Sequence, residues 1–136
     1  GAVAIKRTWR EKGKDINRTV DLRDLSNIFQ ALDHGWVITF PQGTTKPYAK
    51  GRKGIGHIIK HNKPIVVPIQ IDGFRKAFNK SGIMLKKTGV DISLTFKEPI
   101  RFTGDELAGE ILNTLMTQIG QSEENIPEVL KEKILH

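Results

Sequence analysis

The residues best suited to chemistry form one short segment, Phe40-Pro41-Gln42-Gly43-Thr44-Thr45-Lys46. Apolar, β-type sequence runs into it, the proline ends that pattern, and the glycine lets the backbone approach a ligand closely. The amides and hydroxyls of the turn, together with the Lys46 ammonium, can then face an anion such as a phosphate. The same residue types also suit an ordinary turn between a strand and a loop, and both interpretations remain open at this point.

Two further groups of cations could meet that turn. Lys6-Arg7 follows a short apolar segment, Ala2–Ile5, and a guanidinium suits phosphate because its fork binds two oxygens at once. If the two preceding strands are neighbours, Arg7 and the turn converge on one site; otherwise the pair is a solvated strand end. Downstream, Lys50, Arg52 and Lys53 form either secondary contacts to phosphate or membrane, or an exposed basic loop.

The distribution of charge supports an anionic partner. The chain of 136 residues carries a net charge of +7, but the stretch from Gln42 to Val90 holds eleven basic residues and one acidic residue, a net +10. Such a segment attracts phosphates, nucleic acid or an anionic membrane surface. Because no helix-turn-helix, RNA-recognition or zinc-finger pattern is present, we expect no nucleic-acid partner.

Other chemistries are excluded or disfavoured by the residue types. Cysteine is absent, which excludes disulfides, thiolate zinc sites and a cysteine nucleophile. His57 and His61 stand four apart on a predicted helix, but no further ligand is evident, so we expect no metal and no cofactor. The longest apolar run, 64–71, is far shorter than the roughly 20 residues that span a bilayer.

Periodicity predicts the elements that must position these residues. Helices are expected over Ile55–Lys60 and Pro127–Leu135, and a helix with one apolar face is expected from Asp21 to Gly35, with a loop over Trp9–Arg18. A Thr103–Glu106 capping box opens a further helix, whose apolar stripe is Leu107, Ile111, Leu112, Leu115, Met116 and Ile119. Apolar content predicts strands over Ala2–Ile5, Trp36–Phe40 and Ile65–Ile71, and the alternation of apolar and polar residues predicts a half-buried strand over Val90–Phe96. This order predicts one domain, 1–136, of α/β class, with a central mixed, largely parallel sheet flanked by helices.

Three segments, in the same order, resemble sequence blocks of the 1-acylglycerol-3-phosphate (lysophospholipid) acyltransferases. Gly1–Arg7 is similar to the second block, a strand ending in arginine, and 40–46 is similar to the third, F-P-E-G-T-R-S. Ile65-Val66-Val67-Pro68-Ile69 is similar to the fourth, an apolar strand with an internal proline. This chain has Gln42 where the family has glutamate and Thr45 where it has arginine; Lys46 is placed to take over that arginine's contact.

The resemblance implies a function. It suggests a phospholipid-biosynthesis enzyme that moves an acyl group from acyl-CoA or acyl-carrier protein to the hydroxyl of lysophosphatidate or a related lysolipid. Its substrate-binding residues would be Arg7, Gln42, Gly43, Thr44, Thr45 and Lys46, with secondary contacts from Lys6, Lys50, Arg52 and Lys53. It also implies a location at the cytoplasmic face of a membrane.

The family's first block, H-x-x-x-x-D, has no counterpart in this sequence. In the family that histidine is the general base and the aspartate orients it. We therefore expect a fragment that begins at the second block, has no catalytic residue of its own and supplies the acceptor-binding half. The alternative is a non-catalytic basic domain that binds anionic membrane surfaces through its lysines between 46 and 87.

Overall fold

The computed structural model of the chain describes residues 10–11, 14–15, 22–79 and 84–134. Contacts divide the chain into two units, Gly1–Thr39 and Phe40–His136. The predicted strand Ala2–Ile5, the basic pair Lys6-Arg7 and the Asp21 helix cap lie outside the described residues.

In the first unit, strand β1 (Arg10–Glu11) pairs antiparallel with β2 (Lys14–Asp15). The sequence predicted a loop here, so this short pairing was missed. Helix α1 (Leu22–His34) confirms the predicted helix and ends next to Gly35. Its Ile28 side chain is buried, as expected of the apolar stripe.

The predicted strand Trp36–Phe40 is wrong, because the structure assigns neither helix nor strand to these residues. Their side chains are largely solvent-exposed, at 90% for Trp36, 84% for Ile38 and 70% for Phe40. Aromatic and β-branched residues favour strands only where a partner supplies backbone hydrogen bonds and a packed face. Among the described residues, no strand pairs with this segment.

The core of the second unit lies between two helices, α2 (Lys53–Asn62) and α4 (Ala108–Gln118). The predicted stripe of α4 is confirmed in its middle, where Ile111, Leu112, Leu115 and Met116 are buried, but Leu107 precedes the helix and is 64% exposed. Among the described residues, Ile111 has no exposed area. Ile59 of α2 and Phe102 pack in the same cluster. Helix α2 confirms the prediction over Ile55–Lys60 and extends it, ending at Lys63 in the left-handed conformation.

The predicted single strand Ile65–Ile71 is divided in two. Strand β3 (Ile65–Val66) pairs with β6 (Ile100–Arg101), and β4 (Ile69–Asp72) pairs with β5 (Ser93–Phe96), both antiparallel. Between these pairs the register shifts by one residue, as in a β-bulge. Pro68 lies at that break and has no N–H to donate, although its carbonyl accepts from the Lys97 N–H at 2.9 Å.

The predicted α/β fold with a central, largely parallel sheet is therefore wrong. Among the described residues, each sheet has two strands, and the two strands of every sheet run antiparallel. The apolar run after Pro64 indicated a strand buried on both faces, as in parallel sheets. Its actual partners, β5 and β6, follow later in the chain and run in the opposite direction, with short helix α3 (Phe74–Ala77) in the connection after β4.

The end of the chain follows the prediction more closely. Pro127 precedes helix α5 (Glu128–Ile134), and a single 3₁₀ turn, Glu123–Asn125, comes before it. The predicted start of α4 is wrong by about one turn, since α4 begins at Ala108. No helix within the described ranges is long and apolar enough to cross a membrane.

The Thr103–Glu106 pair instead closes a turn ahead of α4. The Glu106 carboxylate accepts hydrogen bonds from the Thr103 hydroxyl at 3.0 Å and from the Gly104 N–H at 2.9 Å. Hydrogen bonding from backbone amides, first from the amide of Glu106 itself, lowers the pKa of this carboxyl to about 2. The charged glutamate thus stabilises the turn that leads into α4.

Candidate phosphate-binding turn

The turn singled out in the sequence is well defined in the structure. The Gly43 N–H donates to the Phe40 carbonyl at 3.0 Å, which closes a four-residue turn with Pro41 at its second position. Gly43 has a φ of +60°, in the left-handed region that favours glycine. The backbone therefore reverses at the position where the sequence placed the reversal.

Arg52 lies directly against this turn. Its N–H donates to the Pro41 carbonyl at 2.8 Å, and its guanidinium Nε donates to the Gln42 carbonyl at 3.4 Å. A Cβ atom built on Gly43 would lie 2.5 Å from Arg52 Nε, so the guanidinium occupies the space that glycine leaves. Sequence analysis assigned Arg52 only a secondary role, but the structure holds it beside the turn by two hydrogen bonds.

Gln42 braces the loop through its side-chain amide. Nε2 donates to the Ala49 carbonyl at 2.9 Å and to Gln121 Oε1 at 3.3 Å, and the side chain is partly buried. Gln121 Oε1 also accepts from the Tyr48 N–H at 3.0 Å. Tyr48 has a φ of 53°, a conformation that costs a non-glycine residue about 1–2 kcal/mol, and the Gln121 contact helps to hold it there.

Gln121 is the site residue that the sequence analysis missed. Two residues after helix α4, Gly120 has a φ of +71°. The Gly120 N–H donates to the Thr117 carbonyl and the Gln121 N–H to the Met116 carbonyl, the hydrogen-bond pattern of a Schellman motif. The glycine after the helical stripe was a usable sign of that helix end, but nothing in the sequence linked it to a turn almost eighty residues earlier.

The remaining turn residues face solvent. Thr44, Thr45 and Lys46 are exposed, and the Thr44 hydroxyl accepts from the Lys46 N–H at 3.2 Å. Among the described residues, no carboxylate forms an ion pair with Lys46 or Arg52; Lys131 and Glu128 form an ion pair elsewhere, on α5. Two hydroxyls and the Lys46 ammonium thus follow Gly43 along the chain, and the Arg52 guanidinium lies against Gly43, a set of groups that suits an oxyanion.

The other predicted site residues are not brought together with the turn. Lys50 and Lys53 are exposed, and no hydrogen bond or ion pair joins their side chains to it. Lys6 and Arg7 lie outside the described residues, so their predicted convergence on the turn stays a prediction. His57 and His61 lie on α2, and the described residues contain no group of three metal-ligating side chains.

Replacing Gln42 with glutamate, the residue of the acyltransferase block, is expected to destabilise this loop. A carboxylate cannot donate to the Ala49 carbonyl and would repel Gln121 Oε1, so we expect a loss of about 1–2 kcal/mol in the free energy of unfolding. Urea denaturation measures the difference. The matched control is Gln118→Glu, the same change at an exposed position of α4; equal stability of the two variants would contradict the bracing role.

Comparison of the chain with protein-family models, with curated proteins and with solved structures finds no match in any of the three. The resemblance to the acyltransferases therefore stays a prediction from the three sequence blocks.

Proposed function

We propose that this chain binds the phosphate of a glycerol-phosphate lipid and serves as the acceptor-binding half of a glycerolipid acyltransferase. The acceptor is lysophosphatidate or a related lysolipid, and the acyl donor is acyl-CoA or acyl-carrier protein. The resemblance assigns the general base to a histidine–aspartate pair that this sequence does not contain, so the role proposed for the chain itself is binding. The proposed enzyme works at the cytoplasmic face of a membrane.

The observation that carries the proposal is the position of Arg52 against Gly43. Two hydrogen bonds to turn carbonyls hold the arginine, one through its amide and one through Nε. No hydrogen bond within the described residues occupies its Nη groups, and a guanidinium can donate to two phosphate oxygens at once. Beside it, the turn offers the Thr44 and Thr45 hydroxyls and Lys46, and the whole group is exposed.

The departures from the acyltransferase block are consistent with this role. The Gln42 amide is bonded within the loop. The absence of the family's glutamate charge at this position therefore does not alter the surface that would face the ligand. Thr45 replaces the family's arginine, but Arg52 supplies a guanidinium to the same turn from the start of α2. Lys46 adds a point charge without the geometry of a fork.

Titration of the 136-residue chain with sn-glycerol 3-phosphate tests the proposal. We expect saturable binding, with glycerol showing none, and a loss of about tenfold in affinity for Arg52→Ala, because hydrogen bonds to charged groups contribute about 1.5–3 kcal/mol each. Isothermal titration calorimetry at fixed ionic strength gives both constants.

The matched control is Arg101→Ala, which removes an exposed arginine on β6 and changes the net charge equally. Equal losses for the two variants would show that the ligand responds only to overall charge. Absence of saturable binding by the wild-type chain would overturn the proposal.

A further inference from the structure

The ribbon formed by β4 and β5 has one apolar face and one polar face. Residues directly opposite each other in the register share a face, and Ile69 lies opposite Phe96 while Ile71 lies opposite Leu94. These four apolar side chains, here called the ribbon face, therefore lie together. The opposite face carries the alternating polar residues, including Gln70, whose side chain bonds to Asp72 at 2.9 Å.

On the polar face, Gln70 is partly buried and lies close to the end of α4, whereas Asp72, Ser93 and Thr95 are exposed. A Cβ atom built on Gly120, at the end of α4, would lie 3.2 Å from the Gln70 side-chain amide. On the ribbon face, Ile69 is partly buried, but Ile71, Leu94 and Phe96 are 45%, 59% and 67% exposed. Half-buried sheets normally place their apolar side on the core. A contiguous exposed apolar surface of this kind is typical of an interaction site.

The chain between the two strands indicates what covers that face. From Gly73 to Val90 the sequence has no acidic residue and five basic ones, Arg75, Lys76, Lys80, Lys86 and Lys87. Within this connection, the described residues Phe74, Met84 and Leu85 are also 45%, 67% and 58% exposed. Cations interleaved with exposed apolar side chains match the chemistry of an anionic bilayer, where headgroups attract the charges and the apolar groups enter the interface.

We infer that the ribbon face is a docking surface for an anionic lipid bilayer. Phe96 and Leu94 insert at the headgroup boundary, and the described cations of the connection, Arg75, Lys76, Lys86 and Lys87, contact the headgroups. A second copy of the chain is the competing occupant, but a net charge of +7 on each copy opposes self-association and favours a negative surface. This surface is separate from the residues of the phosphate-binding turn.

The test is co-sedimentation of the 136-residue chain with vesicles of phosphatidylcholine alone or with 30% phosphatidylserine. We expect binding to the anionic vesicles, and about a tenfold weaker partition for the double variant Leu94→Thr with Phe96→Thr, because it removes two inserting side chains. Threonine keeps the β preference of these exposed positions. The matched control, Val129→Gln with Leu130→Gln on α5, removes two exposed apolar side chains and should bind as wild type.

Circular dichroism establishes that the variants remain folded, and sedimentation velocity measures self-association. The inference is overturned if the threonine variant binds anionic vesicles as tightly as wild type, because electrostatic attraction alone would then account for binding. It is also overturned if wild type ignores such vesicles, or if it forms a dimer that the threonine variant abolishes. Because Arg52→Ala leaves the ribbon face intact, failure of the phosphate proposal leaves the expected vesicle binding unchanged.

Discussion

Replacing Gly56 with alanine is expected to lower the free energy of unfolding by about 2–3 kcal/mol, since overpacking a well-filled core has costs of this size. Gly56 is buried in α2, and a Cβ atom built there would overlap the carbonyl oxygen of Ala108 at the start of α4. The obstacle is backbone, so no side-chain rotation relieves it. The two helices must separate, and the contacts between Ile59 and Ile111 loosen with them.

Gly54→Ala is the matched control, two residues earlier in the same helix. Nothing lies within 4 Å of a Cβ atom built on Gly54. Alanine there should raise stability slightly, up to about 0.5–1 kcal/mol, because glycine has the greater conformational entropy to lose in a helix. Thermal and urea unfolding of both variants should thus give opposite signs. Equal decreases in the free energy of unfolding of the two variants would show that the helices do not approach closely at Gly56.

This contrast illustrates what the sequence could predict about the fold. Helical spacing identified the buried stripe of α4, because a 3.6-residue period is written into the apolar positions themselves. The turn residues on either side of Ile55–Lys60 bounded α2. Neither signal could show that the helices touch at Gly56 and not at Gly54, since the two glycines look alike in the sequence. Close approach is a property of the packed pair.

The strands were less predictable than the helices. Ile65–Ile71 and Val90–Phe96 were recognised as β-type sequence, and parts of both are strands. The direction of their pairing was wrong because an apolar run indicates burial and carries no information about partners. Trp36–Phe40 has an equally strong β composition but no partner among the described residues, so propensity alone did not make it a strand.

The candidate turn was predicted in its backbone but only partly in its contacts. Proline and Gly43 are local signals, and the reversal occurs where they stand. The hydrogen bonds to Gln121 depend on how α4 ends, and the contact with Arg52 depends on how α2 begins. Both are set by tertiary structure and not by local sequence. The sequence accordingly assigned Gln42 to the ligand, whereas its amide is occupied by the loop.

Replacing Gly43 with alanine is expected to weaken sn-glycerol 3-phosphate binding by about tenfold and to reduce stability by about 1–2 kcal/mol. The loss of stability comes from the φ of +60°, which strains any residue with a Cβ. The loss of affinity comes from the new methyl group, which would displace the Arg52 guanidinium from the turn. Because an arginine side chain is flexible, it moves aside and the chain still folds.

Gly89→Ala separates these two effects. Gly89 has a φ of +67°, and a Cβ atom built there meets nothing within 4 Å. This variant should lose a similar amount of stability while its phosphate affinity is unchanged. Calorimetric titration and urea unfolding of the two variants make the comparison.

A double-mutant cycle then tests whether Gly43 acts through Arg52. If the alanine methyl weakens binding only by displacing the guanidinium, Gly43→Ala should cause little further loss of affinity in a chain that already carries Arg52→Ala. Fully additive losses would mean that the turn backbone binds the ligand independently of the arginine. In that case Arg52 would be one cation among several near the turn, and the assignment of the phosphate contact to it would be wrong.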